Sequence, residues 1–288
     1  MSRSEHGNAR DKTDPVDRAR KRRIKRLTLA ERERWVLPVV PITAIPLLGF
    51  DHGPVSAADL RGVMERLPPG SMTGVACIAQ VPSFELDRSC GDGFATPRTL
   101  GDYHPFGARI QLYEYEYPAD PAFEMYLRLR MLATFVHEVG HHVDCAARFS
   151  RHRARGDREE MLEDAAETWE AVWVEEAVLP YIEQAYPTEL AAFRAWTIAH
   201  AGIEVPLELI VGRDRTILGT QFAFESLLRS VLAQGPLIEA QVDYAFYLHY
   251  SYHLELALEI LDGVLARDPD HADALKWRRH ILIDHGLG

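Results

Sequence analysis

Residues 120–147 read DPAFEMYLRLRMLATFVHEVGHHVDCAA, and the rest of the chain is read outward from them. Pro121 follows Asp120 where a helix tolerates a missing N–H, at its first position. Leu127, Leu129, Leu132, Phe135, Val136 and Val139 then recur so densely that the helix is apolar nearly all round. Such a helix has no solvated face and must be buried. Inside it stands His137-Glu138-Val139-Gly140-His141, an H-E-x-x-H pattern.

A spacing of four sets both imidazoles on one helix face a turn apart, so that they converge on one cation, with Glu138 beside them. Two neutral imidazoles, one further protein ligand and an open position suit Zn²⁺, which lowers the pKa of a water from about 15.7 to about 7. Glu138 is then placed as the general base. A chain with 13 histidines can place two around a glutamate by chance. Burying two imidazoles and a carboxylate with no shared purpose is costly, which favours the metal reading. Asp144 falls on the face of His137 and His141 and is a candidate acceptor for the outer N–H of a ligand histidine. His142 points elsewhere and reads as structural, and Cys145 reads as a small packed hydrophobe.

The third ligand has to come from another element, and a helix expected over 159–179, ending before Pro180, offers it. Its apolar stripe is Leu162, Ala166, Trp169, Trp173 and Ala177. Glu159, Glu163 and Glu170 project onto the edge of that stripe, while Glu160, Asp164 and Glu167 project further toward solvent. Periodicity alone leaves Glu159, Glu163 and Glu170 open as ligands.

Upstream, residues 35–117 carry strand and turn signals. Thr73–Val81 and Ala108–Tyr117 read as strands, and 56–66 as a short helix with Ser56 as its cap. The uncharged run Trp35–Phe50 is broken by Pro38, Pro41 and Pro46 and falls short of the ~20 residues of a spanning helix, so it reads as buried extended chain with no membrane role. A basic stretch, Arg148–Arg158, reads as a loop, and helices are expected over 183–199, 216–233 and 237–284. Strands first and helices afterwards make the chain α+β. The organisation is a basic disordered tail over 1–34, a domain over 35–186 and a helical region over 187–288.

The pair HEVGH and, after a 21-residue gap, Glu163-Asp-Ala-Ala166-Glu-Thr-Trp169 resembles the gluzincin branch of the zincin metallopeptidases, and is most similar to the ImmA/IrrE-type zincins. The resemblance implies a zincin-like core of a small sheet and an active-site helix, with His137, His141 and Glu163 as zinc ligands and Glu138 as catalytic base. It also implies that the strand over Ala108–Tyr117 runs along a substrate cleft, where Tyr113, Tyr115 and Tyr117 share one face. Three departures stand out: Glu167 sits where these families show Asn or Asp, no helix-turn-helix precedes the domain, and some 100 residues follow it. The metzincin pattern fails, because Ala147 stands where its third histidine would fall.

Residues 238–271 place Ala257, Leu261 and Pro269 at spacings similar to one tetratricopeptide repeat. That helical region is a candidate surface for a protein partner. His249 and His253, four apart, are a weaker candidate pair for a second metal. With 47% hydrophobic and 26% charged residues the chain is globular in composition. Its net charge of −11 divides into 12 Lys/Arg against 6 Asp/Glu in residues 1–34, and 20 against 37 in the rest. An acidic body disfavours general nucleic-acid binding, leaving only the basic tail for it. Cys77, Cys90 and Cys145 suit neither a disulfide framework nor a thiolate zinc site, which points to a reducing, cytoplasmic setting. The function expected is zinc-dependent hydrolysis of a protein or peptide substrate. The alternatives are a binding protein in which metal is structural, and a metallohydrolase acting on a non-peptide bond.

Overall fold

The structure, a computed structural model, describes residues 41–82, 100–104, 108–114, 117–148, 158–211 and 218–284. It is α+β, a small sheet followed by a run of helices. Four strands, β1 (Leu47–Leu48), β2 (Cys77–Pro82), β3 (Gly101–His104) and β4 (Arg109–Glu114), form one sheet in the order β1-β2-β4-β3. β1, β2 and β4 run parallel, and β3 is antiparallel at the edge. The register pairs Leu47 with Ile78, Ile78 with Ile110 and Ile110 with Tyr103. The even positions Ile78, Ile110 and Leu112 are fully buried, as the period of two requires for one covered face.

Helix α1 (Ala57–Met64) connects β1 to β2. Ser56 caps it reciprocally with Asp59: the Asp59 N–H donates to Ser56 Oγ, and Ser56 N–H to Asp59 Oδ2 at 2.6 Å. The other Asp59 oxygen accepts from the hydroxyls of Tyr181 at 2.7 Å and Tyr186 at 2.6 Å. Burial, and then the bond to this carboxylate, raise the pKa of Tyr181 and push that of Tyr186 up to about 12. Asp59, only 1% exposed, thus ties α1 to the helices behind it. Asp59→Ala removes the Asp59 half of the reciprocal cap and leaves two tyrosine hydroxyls without their acceptor. It is expected to lower the unfolding free energy by about 2–4 kcal/mol. Urea unfolding measures this, and a loss below about half a kcal/mol would show that the hydroxyls rehydrate freely.

Helix α2 (Pro121–Arg148) crosses the sheet. Its start is set by Asp120, whose Oδ1 accepts from Ala122 N–H at 2.8 Å and Phe123 N–H at 3.1 Å. Every residue from Met125 to Gly140 is buried, as the apolar sequence requires. β3 and β4 both pack on it. Gly101 of β3 allows this closeness, since a Cβ there would lie 2.9 Å from Thr134 Cγ2.

Helix α3 (Arg158–Trp173) returns against α2, and the pair has the most extensive helix–helix contact in the described structure. Gly140, inside the HEVGH motif, sits at the closest approach. A Cβ there would lie 3.0 Å from Ala166 Cα and 3.1 Å from Trp169 Cβ. Neither atom is the loose end of a side chain. Gly140→Ala is therefore expected to push α3 outward by a few tenths of an ångström and to destabilise the fold by about 1–3 kcal/mol, read as a lowered melting temperature.

Pro180 does not end this helical stretch. Val174–Val178 form a π-helical turn, in which Leu179 N–H reaches Val174 O, and α4 (Leu179–Ala185) continues with Pro180 in its first turn. The wider turn absorbs the register change that a proline's ring and missing N–H impose. Then follow α5 (Pro187–Ala201), α6 (Leu207–Val211), α7 (Leu218–Leu232), α8 (Leu237–Tyr250), α9 (Leu254–Arg267) and α10 (Ala272–Asp284). α5 and α6 pack on α2, and apolar side chains from Ile45 to Ile281 form one buried cluster. The tail over 1–34, the start of the Trp35–Phe50 run and nearly all of the Arg148–Arg158 stretch lie outside the described residues. Of the Trp35–Phe50 run, Ile45 and Phe50 are buried, and Leu47–Leu48 form β1. No described helix is long and apolar enough to cross a membrane.

The repeat-like segment folds as a hairpin of α8 and α9 with α10 packed on both. Ala257, Leu261 and Val264 are fully buried, while Leu254, Leu258 and Leu265 are partly so. Gln241, 1% exposed, joins the hairpin to α5: its amide donates to His200 O, and its carbonyl accepts from Arg267.

Candidate metal centre

Three side chains of α2 converge. His137, Glu138 and His141 offer ligand atoms that all lie within 4.8 Å of one another, and they are the only such group among the described residues. His137 is 1% and Glu138 3% exposed, whereas His141 is half-buried, so the group opens toward solvent on the His141 side. The two imidazole rings stand edge to face, with centroids 4.7 Å apart and planes at 87°. Helix spacing delivers this arrangement, and the sequence was sufficient to place it.

Across the helix pair, Glu170 of α3 meets His137. The Nδ1–H of His137 donates to Glu170 Oε2 at 2.9 Å, in a contact where both side chains are nearly fully buried. Sequence reasoning offered Asp144 as the acceptor for a ligand histidine, and for His137 the acceptor is Glu170 instead. The reason is geometric. Asp144 lies two turns further along the same helix, and helical side chains lean toward the N-terminus, so the ring of His137 leans away from it. Glu170 approaches from the neighbouring helix at the same level. It lies outside the group formed by His137, Glu138 and His141.

The side chains of Glu159 and Glu163, in the first turns of α3, lie outside the described part of that helix, as does that of Cys145 in α2. Glu167, expected toward solvent, is buried at 9% exposure. All six residues from Ala165 to Glu170 are buried, so this part of α3 is enclosed on every face and its stripe does not predict which acids are wet.

His142 is structural, as expected. Its Nε2–H donates to Thr73 O at 2.8 Å, and its Nδ1 accepts from the Tyr103 hydroxyl at 3.0 Å. Burial lowers its pKa against the opposing pull of the Thr73 carbonyl, which keeps the ring neutral. It fastens α2 to β3 and to the turn before β2.

The strand expected over Ala108–Tyr117 spans Arg109–Glu114 and lies inside the sheet. β4 is flanked by β2 and β3 and has no open edge, so the edge strand beside α2 is β3. Tyr113 donates its hydroxyl to Asp102 Oδ2 of β3 at 2.8 Å, and Tyr117, beyond the end of β4, stacks on Phe123. Tyr115 lies outside the described residues. The pair His249 and His253 does not share a helix face. α8 ends at Tyr250, Tyr252 takes a left-handed φ of 62°, and His253 stands just before the first residue of α9.

The donor set fits a divalent cation: two imidazoles and a carboxylate converge, and the buried histidine already has its outer nitrogen held by a carboxylate, as metal-ligating histidines do. Zinc suits such nitrogen and oxygen donors. Comparison with protein-family models, with curated proteins and with solved structures finds no match. The likeness to zincins therefore rests on the residues of the motif alone.

Proposed function

We propose that the chain is a zinc-dependent hydrolase of peptide bonds, with His137 and His141 as ligands, Glu163 as the third ligand and Glu138 as the base. The observation that carries this reading is the convergence of His137, Glu138 and His141 on a buried helix with one side open to solvent. A purely structural site needs no carboxylate beside an accessible position. When bound, zinc would acidify a water and polarise the carbonyl under attack. Glu138 takes the proton of the attacking water on its carboxylate and returns it to the leaving nitrogen. His137 is held in orientation by Glu170, and the hydrophobic surroundings of α2 exclude bulk water from the closed side. The antiparallel edge strand β3, packed on α2 one turn before His137, supports a zincin-like core, with an extended peptide as the substrate that such an edge accommodates.

Metal analysis of the purified protein tests the first half, with about one zinc per chain expected. A search for new N-termini in a proteome incubated with the protein tests the second half. Zinc bound without new N-termini would favour a metal-stabilised binding protein or a hydrolase of another bond.

A further inference from the structure

Glu170 is an expensive residue to keep where it is. It is 1% exposed, one oxygen accepts from His137, and the other, Oε1, has no hydrogen-bond partner among the described residues. A buried carboxylate with a single bond costs stability, and an apolar side chain of similar volume would serve packing at least as well. In that contact the carboxylate is the acceptor and the imidazole carries the proton on Nδ1. A neutral imidazole with its proton on Nδ1 carries its lone pair on Nε2.

We infer that Glu170 is a positioning residue of the metal centre and not its third ligand: by holding the Nδ1–H of His137 it selects the Nε2 lone pair as the donor to the cation. The inference rests on the metal reading of the HEVGH helix. It separates two roles that sequence periodicity left open for Glu170. The two nitrogens of an imidazole point in diverging directions, so a cation on Nε2 lies across the ring from the Glu170 carboxylate. The exclusion of Glu170 from the converging group agrees with this. The Gly140 contact sets the level at which α3 meets α2 and so brings residue 170 opposite residue 137.

The test uses the full chain with Zn²⁺ and Co²⁺ as probes and compares Glu170→Gln and Glu170→Ala with the unaltered protein. Chelator competition is expected to show zinc binding weakened about ten- to a hundredfold in both variants. The visible spectrum of the Co²⁺ form should keep its band positions and intensity, because the ligand set is unchanged. In the metal-free protein, ¹⁵N chemical shifts should report the Nδ1–H form of His137, and a mixture of tautomers in Glu170→Ala. Unchanged zinc affinity in both variants overturns the inference. So does a Co²⁺ spectrum altered in coordination number, which would make Glu170 a ligand. Glu170→Gln keeps the shape of the side chain and carries the test if Glu170→Ala does not fold. If the unaltered protein binds neither metal, the zinc reading fails by itself. The tautomer comparison then still decides whether Glu170 directs His137.

Discussion

Glu138→Gln is expected to abolish measurable peptide hydrolysis while leaving fold and zinc stoichiometry in place. Glutamine has the shape of glutamate, and Glu138 is only 3% exposed, so the packing around it is preserved. The amide, however, cannot take a proton from water. General-base catalysis contributes about 10²–10⁴ in rate, and the loss in kcat should fall in or above that range with little change in KM. The assay is cleavage of whichever substrate the N-terminus search identifies, with circular dichroism and zinc content measured on the same preparation. Turnover at the unaltered rate would assign the base to another residue. Loss of zinc together with activity would make Glu138 a ligand.

His141→Ala, and His137→Ala with it, should remove zinc. Stoichiometry is expected to fall from about one per chain to near zero, because a site of two histidines and one carboxylate does not survive on fewer ligands. The two substitutions differ in their structural cost. His141 is half-buried, so its truncation empties less enclosed space than that of His137, which is 1% exposed. Removing His137 strands the Glu170 carboxylate in the interior, where breaking a buried pair costs about 3–5 kcal/mol. His141→Ala is thus the cleaner variant. It should unfold near the temperature of the zinc-free protein, and zinc should no longer raise that temperature. For the unaltered chain the stabilisation reaches about 4 kcal/mol at a thousandfold excess over Kd. Retained zinc in the double variant would place the metal elsewhere.

What could be read without the fold was the chemistry that lies within single helices. Asp120-Pro121 sets the start of α2, the unbroken apolar run buries it, and His137, Glu138 and His141 share a face because four residues make about one turn. The Ser56 cap and its helix were legible for the same reason. Each of these facts depends on residues within a few positions of one another, and backbone geometry turns such spacings into directions without further information.

What lay between elements was decided only by the tertiary structure. That Glu170 meets His137 depends on the level at which two helices pack, which the contact of Gly140 with Ala166 and Trp169 fixes across an intervening stretch of chain. The order that puts β4 inside the sheet and β3 at its edge depends on pairings between distant segments, so the strand next in sequence to α2 is not the open one. One left-handed residue, Tyr252, separates His249 from His253, and a π turn carries the chain past Pro180. The sequence alone determined the fold class and which residues of one helix converge, because helix and strand periods are local properties. Only the packed structure decided which carboxylate meets His137 and which strand ends the described sheet, because both depend on contacts between segments that no local spacing encodes.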